Sequence, residues 1–233
     1  MRVVSLVPSL TESVAVTAPE LLVGATDWCT EPPGLSVPRI GGSKYPRVAD
    51  VVALRPDLVL AIEEENRLAD VEALRAAGID VWVGSPRTVD AALSTLDEMF
   101  GVLGVPRPGW LSDAARAWSA PPVGPARRAV VPVWRRPWVW LGADTFAADV
   151  LRRLGVTVAE VADGRYPRVD VPTALRARPD LVVLPDEPYR FTDGDGPEAF
   201  GGLPYALVSG RHLTWYGPSL VTAPAVLSAA LAA

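Results

Sequence analysis

The chain has 233 residues, 49% of them hydrophobic and 21% charged, with a net charge of −5. This length suffices for one sizeable core or two small ones, and the acidic balance argues against the basic patch that a nucleic-acid partner would need. Its single cysteine, Cys29, excludes an internal disulfide, and no apolar run reaches the roughly 20 residues of a membrane span.

The N-terminal segment begins with a predicted strand over Arg2–Val7. It lacks the charged region, apolar stretch and small-residue cleavage site of a secretory signal. We therefore expect a cytoplasmic protein that is not exported. Ser9 and Glu12 then have the spacing of a capping box, in which Ser9 caps a helix and Glu12 reaches back to it.

The first half of the chain alternates predicted strands and helices. Strands are expected over 2–7, 21–25, 58–62 and 79–83, and helices over 49–54, 66–77 and 89–103. Residues 26–48 are rich in proline and glycine and are predicted to form loops. Such alternation is typical of a parallel α/β sheet.

The second half repeats this alternation after a connecting helix over 108–119 and a linker at 120–128. Strands are predicted over 129–134, 156–161 and 181–184, helices over 145–154 and 219–231, a polar loop over 185–202, and short extended pieces at 206–208 and 213–215. We therefore predict three parts, namely an N-terminal α/β lobe over 1–104, a connecting helix over 105–120 and a C-terminal α/β lobe over 121–233.

An internal repeat supports two lobes. Residues 45–64 read YPRVADVVALRPDLVLAIEE, and residues 166–187 read YPRVDVPTALRARPDLVVLPDE. The offset, 166 − 45 = 121 residues, is far longer than a solenoid period of roughly 20–50 residues. Arg-Pro-Asp-Leu-Val is also a common way to end a helix and begin a buried strand. The longer match nevertheless favours two similar lobes with a ligand cleft between them.

Several motifs carry a resemblance to a known family: RVVSLVPSLTE, VGATDWCTEPP, ALRPDLVLAIEEEN, VVPVWRRPWVWLGADTFAADVLRRLG and LTWYGPSLVTAPAVL. The chain resembles the helical-backbone (class III, TroA-like) substrate-binding proteins, most closely the vitamin B12-binding proteins of bacterial ABC importers. The resemblance implies two Rossmann-like lobes joined by a backbone helix, with the ligand in the cleft between them. That family also binds haem and ferric siderophores.

Two departures from the family concern its partner. The connecting helix, PGWLSDAARAWS, is only about 12 residues or roughly 18 Å long, whereas the family usually has a longer one. Leu68 lies near the position where the B12-binding relatives carry a glutamate that docks onto the permease. Both departures speak against docking onto an ABC permease.

The candidate site lies in the loops after the strands, because ligands of such sheets meet the carboxyl ends of the strands. Aromatic residues concentrate there, and tryptophan offers a large flat face and one donor to a planar ligand. Arg135 has the fork that clamps a carboxylate or phosphate, whereas Trp82 and Trp140 lie in apolar runs and are predicted core residues. The candidate ligand-binding residues are Ser9, Trp28, Tyr45, Glu65, Asn66, Trp134, Arg135, Trp138, Glu187, Tyr189, Phe191, Trp215 and Tyr216.

Metal and nucleophile chemistry find little support. One histidine is too few for an ordinary metal site, so we expect none, with His212 a candidate axial ligand to a metal in a macrocycle or else a surface histidine beside Arg211. A pairing of Cys29 with His212 as a nucleophile lacks a supporting motif. Glu65 and Glu187 follow strands in the two lobes, where they are either solvated acids or facing carboxylates.

The sequence thus predicts a cytoplasmic binding protein that holds a corrinoid such as cobalamin, another tetrapyrrole or a siderophore-like metal chelate in the cleft between the lobes. The expected partner is a small molecule, with no nucleic acid, no membrane anchor and no catalytic residue. The alternative is an enzyme or a biosynthetic accessory protein that reuses the cleft. Ionisable residues with shifted pKa values gathered in the site would favour that alternative.

Overall fold

The computed structural model describes residues 1–119 and 127–232, so most of the linker predicted at 120–128 lies outside the described residues. They form two compact units, each built from several stretches of chain. Within these ranges, unit 1 contains Met1–Pro86, Leu93–Ser112 and Tyr216–Pro218, and unit 2 contains residues 87–92, 113–119, 127–215 and 219–232. The contiguous division at residues 104 and 120 stays a prediction. No helix in the described ranges is long and apolar enough to cross a membrane.

Unit 1 is built on a parallel sheet of four strands in the order β2-β1-β3-β4. The strands are β1 (Val3–Ser5), β2 (Leu22–Ala25), β3 (Leu58–Ile62) and β4 (Asp80–Gly84), and the helices are α1 (Pro8–Ala15), α2 (Val48–Ala53), α3 (Leu68–Ala76), α4 (Val89–Val102) and α5 (Gly109–Ala117). A short 3-10 turn covers Pro19–Leu21. Central strand β3 is buried at every position, as its continuous apolar sequence requires. Helices α4 and α5 contribute residues to both units.

Unit 2 contains a second parallel sheet and a hairpin. Its strands are β5 (Arg127–Val130), β6 (Pro132–Arg135), β7 (Trp138–Trp140), β8 (Val156–Val158), β9 (Leu181–Pro185) and β10 (Tyr205–Val208). The sheet has the order β10-β9-β5-β8, and β6 pairs antiparallel with β7. The helices are α6 (Phe146–Arg153), α7 (Val171–Leu175), α8 (Gly210–Thr214) and α9 (Ala223–Ala232), with 3-10 turns at Pro197–Phe200 and Pro218–Val221.

The two sheets have the same topology. If the strands of each sheet are numbered in chain order, the spatial order in both sheets is second, first, third, fourth. Strands β5, β8, β9 and β10 thus correspond to β1, β2, β3 and β4. The two non-glycine residues with positive φ among those described, Arg55 and Arg178, occupy the same place in the two copies of the repeat. The predicted pair of similar α/β lobes is therefore confirmed.

The repeated aspartate explains part of the duplicated sequence. Asp57 precedes β3, where its backbone N–H donates to the Arg2 carbonyl over 2.8 Å and its carboxylate accepts from the Arg2 N–H over 2.6 Å. Asp180 precedes β9 and makes the same pair of bonds with Arg128, at 2.7 and 3.0 Å. In each unit this residue therefore fixes the register at the start of the two central strands.

Three local predictions are wrong. Helix α1 begins at Pro8 with Val7 as the preceding residue and no side-chain cap, so Ser9 and Glu12 do not form a capping box. Proline is suited to the first turn of a helix because it lacks the N–H that would stay unbonded there. The strand expected over 129–134 is divided at Val131, since Pro132 cannot continue the ladder. Residues 213–215, expected to be extended, belong largely to α8.

The two tryptophans that were predicted to be core residues differ. Trp140 is fully buried, and its indole N–H donates to the Val169 carbonyl over 2.9 Å. Trp82 is only half-buried. It lies on β4, which has a hydrogen-bonded neighbour on one side only. An edge strand is less enclosed than a central one, so an apolar run on it need not be buried.

Candidate functional site

The carboxyl edge of the unit 1 sheet presents two exposed aromatic side chains. Trp28 follows β2 and is 67% exposed, and Tyr45 lies later in the same connection and is 70% exposed. The Arg67 guanidinium lies over the Tyr45 ring, 4.6 Å from its centroid. Lys44 donates to the Glu64 carbonyl over 2.6 Å, which ties the loop after β2 to the loop after β3.

Asn66 holds the loops of this edge together. Its side-chain oxygen accepts from the Ile62 N–H over 2.8 Å, and its amide donates to the Ser43 carbonyl over 3.0 Å. Asn66 is 6% exposed, so its hydrogen-bonding groups serve the loops. The neighbouring Glu65 is half-buried in the turn that follows β3.

Ser9 and Tyr216 lie inside unit 1. Ser9 is 1% exposed on α1, and its hydroxyl finds no hydrogen-bond partner within residues 1–119 and 127–232. Tyr216 is 3% exposed. Next to it, a Cβ on Gly217 would lie 3.0 Å from the Ser9 carbonyl oxygen and 2.9 Å from the Ser13 hydroxyl. Glycine thus permits the segment Tyr216–Pro218 to pack closely on α1.

Unit 2 carries a group of aromatic rings that contact one another, which we call the aromatic cluster: Trp134, Trp138, Trp140, Tyr189, Phe191 and Phe200. The sequence WRRPW, expected to leave a strand end, instead forms hairpin β6–β7 with its turn at Arg136-Pro137. Trp134 is 43% exposed and meets Tyr189 edge-on, with ring centroids 5.7 Å apart. Trp138 is half-buried and stacks on Phe191, which is 2% exposed.

The Arg135 side chain is engaged within unit 2. It is 14% exposed and forms ion pairs with Asp195 and Glu198 of the loop after β9. Its guanidinium also lies over the Trp138 ring, 5.6 Å from the centroid. Glu198 accepts from the Gly196 N–H over 2.6 Å, and this bond, together with Arg135, holds the pKa of Glu198 below its usual value.

The loops after β9 and β10 complete this edge. Asp186 accepts from the Gly210 N–H over 2.6 Å, and half-buried Glu187 lies against Gly210, where a Cβ would come within 2.4 Å of the Glu187 side chain. The Arg211 guanidinium lies over Trp215, 5.8 Å from its ring centroid. Trp215 itself is half-buried.

Composition did not identify the acids that bind Arg135, and it did not predict the contacts of Arg67 and Arg211 with aromatic rings. The signal for the acids was the loop sequence TDGDGPE, which carries three carboxylates within six residues. The binding roles of the candidate residues stay predictions. The structure places most of them at the edges of the two sheets, and the side chains of Ser9, Asn66, Phe191 and Tyr216 are buried.

Cys29 has the surroundings of a core thiol. It is fully buried, with the Thr11 and Thr26 hydroxyls 3.0 and 3.1 Å from its sulfur. Burial raises the pKa of Cys29 despite these bonds. A buried thiol that resists ionisation is a weak nucleophile. Among the described residues, no three histidine, cysteine or acidic side chains converge as metal ligands.

The pKa of His212 lies below its ordinary value. Its Nδ1 lies 2.8 Å from the Ser209 hydroxyl and its Nε2 3.3 Å from the Thr222 hydroxyl. Partial burial, followed by the charge of Arg211, lowers its pKa from 6.5, and Asp186 offsets part of this effect. His212 is therefore neutral at pH 7.

We expect the free energy of unfolding to fall as the pH drops below about 6.5. The reason is that the unfolded histidine binds a proton at a higher pH than the folded one does. The decline should stop once the pH is below the folded pKa. NMR of this single histidine should give a folded midpoint under 6.5, and His212→Gln should remove the pH slope from urea unfolding curves. An equal slope in the variant would assign it to other groups.

Two parallel sheets of the same strand order are also the frame of solved two-lobed substrate-binding proteins. The solved vitamin B12-binding protein BtuF of Vibrio cholerae is similar to this chain, with a TM-score of 0.80, 17% identity, and 99% of this chain and 96% of that one covered. The haem-binding protein BhuT, solved with two haems, has a TM-score of 0.79, 22% identity, and coverage of 99% and 97%. The haem-binding protein RhuT from Roseiflexus sp. RS-1 has a TM-score of 0.80, 18% identity, and coverage of 98% and 97%.

The chain therefore has the helical-backbone (class III) substrate-binding fold, as its resemblance to that family predicted. No protein-family model matches the chain, and no curated protein matches it by sequence. At 17–22% identity, the likeness to these three structures is one of fold.

Proposed function

We propose that this protein binds a flat tetrapyrrole, most favourably a corrinoid such as cobalamin, at the carboxyl edges of its sheets. The observation that carries the proposal is the exposure of aromatic rings there, with Trp28, Tyr45 and Trp134 between 43% and 70% exposed. Ligands of parallel sheets meet the carboxyl ends of the strands, so exposed rings in these loops are placed to meet a flat ligand. BtuF is a vitamin B12-binding protein and BhuT was solved with two haems, which supports a tetrapyrrole as the ligand of this chain.

Charge favours a corrinoid over haem. Haem carries two propionates, which need cationic partners, whereas the corrin periphery carries neutral amides. Arg135 already pairs with Asp195 and Glu198, and Arg67 pairs with Asp70 at 2.7 Å. A propionate would therefore bring a further negative charge to arginines whose charge is already balanced by acids. Neutral amides bring no added charge.

The test is a titration with cyanocobalamin and, separately, with haemin, followed by tryptophan fluorescence and calorimetry. Trp134→Ala should weaken binding of the preferred ligand by about 1–3 kcal/mol, or roughly fivefold to 150-fold, because a large aromatic contact is lost. The fold should be retained, since Trp134 is 43% exposed.

Tyr205→Ala is the matched control for this experiment. Tyr205 is 41% exposed, as Trp134 is 43% exposed, but it begins β10 and so lies at the amino edge of the sheet. Its loss should leave the affinity unchanged. Failure of the wild-type protein to bind either macrocycle would contradict the proposed function. Equal affinities of the wild type and Trp134→Ala would remove Trp134 from the site.

The alternative function, an enzyme, would need ionisable groups with shifted pKa values gathered at one place. In the described residues the shifted groups are spread over both units. Cys29 is in the core of unit 1, Asp170 caps α7, and Tyr205 lies at the amino edge of the second sheet. This distribution favours a binding protein.

The cellular location is a further prediction. BtuF, BhuT and RhuT are described as periplasmic, whereas we expect this protein in the cytoplasm without a permease partner. Leu68, which lies near the position of the permease-docking glutamate in the B12-binding relatives, is at the first position of α3 and is 68% exposed. An uncharged side chain there speaks against the same docking contact. Fractionation of the source cells with an antibody to this chain should place it with cytoplasmic markers. Recovery outside the cytoplasmic membrane would contradict the prediction.

A further inference from the structure

Hairpin β6–β7 needs support from the rest of unit 2. A two-stranded hairpin alone is marginally stable in water, and this one has strands of only four and three residues. It nevertheless carries Trp134 and Trp138, the outer rings of the aromatic cluster. Whatever holds the hairpin therefore also fixes the position of these rings.

Arg135 is the residue that connects the hairpin to the loop after β9. Its guanidinium pairs with Asp195 and Glu198, which lie about 60 residues further along the chain, and it covers one face of Trp138. The planar guanidinium of an arginine binds two carboxylates in a fixed geometry and loses little conformational entropy per hydrogen bond, whereas a lysine offers a single rotatable ammonium.

The same acids extend the connection to Trp134. Asp195 accepts a second hydrogen bond, from the Tyr189 hydroxyl over 2.6 Å. Tyr189 in turn meets the Trp134 ring edge-on, with ring centroids 5.7 Å apart. Arg135 thus reaches Trp138 directly and Trp134 through Asp195 and Tyr189.

We propose that Arg135 is a positioning residue of the ligand site, which holds Trp134 and Trp138 in their binding arrangement before the ligand arrives. This inference rests on the proposed function for its ligand, but the ion pairs of Arg135 with Asp195 and Glu198 are a property of the free protein. Without the guanidinium, Asp195 and Glu198 would repel each other, and both the hairpin and the loop would become less ordered. The rings would then have to be ordered on binding, which lowers affinity.

The first arm of the test uses the free protein. Hydrogen exchange measured by mass spectrometry should become about tenfold faster in segments 132–140 and 186–200 of Arg135→Gln, with other segments unchanged. Arg135→Lys should lie between this variant and the wild type. Arg190→Gln is the control, since it makes the same charge change at an exposed arginine of the same loop. Wild-type exchange in Arg135→Gln, or equal acceleration in Arg190→Gln, would overturn the inference.

The second arm uses cyanocobalamin and haemin as probes. Arg135→Gln should weaken binding about tenfold, and the loss should shrink in a Trp134→Ala background because the two residues act through one contact chain. Fully additive losses in both a Trp134→Ala and a Trp138→Ala background would overturn the positioning role. If Arg135→Gln fails to fold, Glu198→Gln, which removes one acid partner, takes its place. If the wild type binds neither probe, the proposed function fails, and the exchange arm alone decides whether Arg135 orders the hairpin.

Discussion

Replacing Trp140 with alanine is expected to lower the free energy of unfolding of unit 2 by about 3–5 kcal/mol. Trp140 is 0% exposed, stacks on Trp138 with ring centroids 5.7 Å apart, and meets Phe200 edge-on. The alanine variant leaves a cavity that these rings cannot fill without moving. It also leaves the Val169 carbonyl without the indole donor that now lies 2.9 Å away.

Urea unfolding followed by circular dichroism measures this loss, with two matched variants beside it. Trp28→Ala removes the same side chain where it is 67% exposed, and its effect should stay within about 0.5 kcal/mol. Trp140→Phe keeps part of the ring and loses the N–H, so its cost should fall between the two. A Trp140→Ala cost as small as that of Trp28→Ala would show that the cluster does not stabilise unit 2.

The pair of similar sheets could be predicted because the internal repeat duplicates the sequence around each central strand. Each copy contains a helix, a Pro-Asp pair and a central strand, and the central strands β3 and β9 are buried at all five positions. Their apolar sequences leave no other placement in a parallel sheet. Most helix and strand bounds moved by a residue or two, since the ends of such elements depend on local hydrogen bonds. The strand expected over 156–161 ends three residues earlier, at Val158, and the helix expected over 219–231 begins four residues later, at Ala223.

The hairpin could not be predicted from the same kind of pattern. WRRPW is too short to show a periodicity, and the acids that pair with its Arg135, Asp195 and Glu198, lie about 60 residues away in sequence.

The burial of aromatic side chains in loops could not be predicted either. Trp28 and Phe191 both follow strands, yet they are 67% and 2% exposed. Only the packing of neighbouring loops distinguishes a ring on the surface from one in the core.

Removing Asp149 is expected to destabilise the protein by about 2–4 kcal/mol, because it takes away the buried one of two acids that pair with a mostly buried arginine and leaves a helix start without its acceptor. Asp149 on α6 is 7% exposed. Its carboxylate accepts from Arg153 Nε over 3.0 Å and from the Val89 N–H, at the first residue of α4, over 2.9 Å. Arg153 is 18% exposed and also pairs with Asp90 at 2.6 Å.

The control is a similar pair in water. Asp113 and Arg116 on α5 have the same spacing as Asp149 and Arg152, but their side chains are 52% and 75% exposed. Asp113→Ala should therefore cost less than about 1 kcal/mol. Equal costs for the two alanine variants, measured by urea unfolding at pH 7, would mean that burial adds nothing to the Asp149 network.

The pH dependence of the Asp149→Ala effect provides a second check. Burial alone would raise the pKa of Asp149, but the bonds from Val89, Arg152 and Arg153 outweigh it and hold the pKa below 3.8. A carboxylate whose folded pKa is lowered stabilises the fold above its unfolded pKa and loses that contribution as the pH falls through the folded value. The difference between wild type and Asp149→Ala should thus persist at about pH 4.5 and shrink only below about 3.8. If it shrinks between pH 6 and 5, the carboxylate is not held ionised by this network.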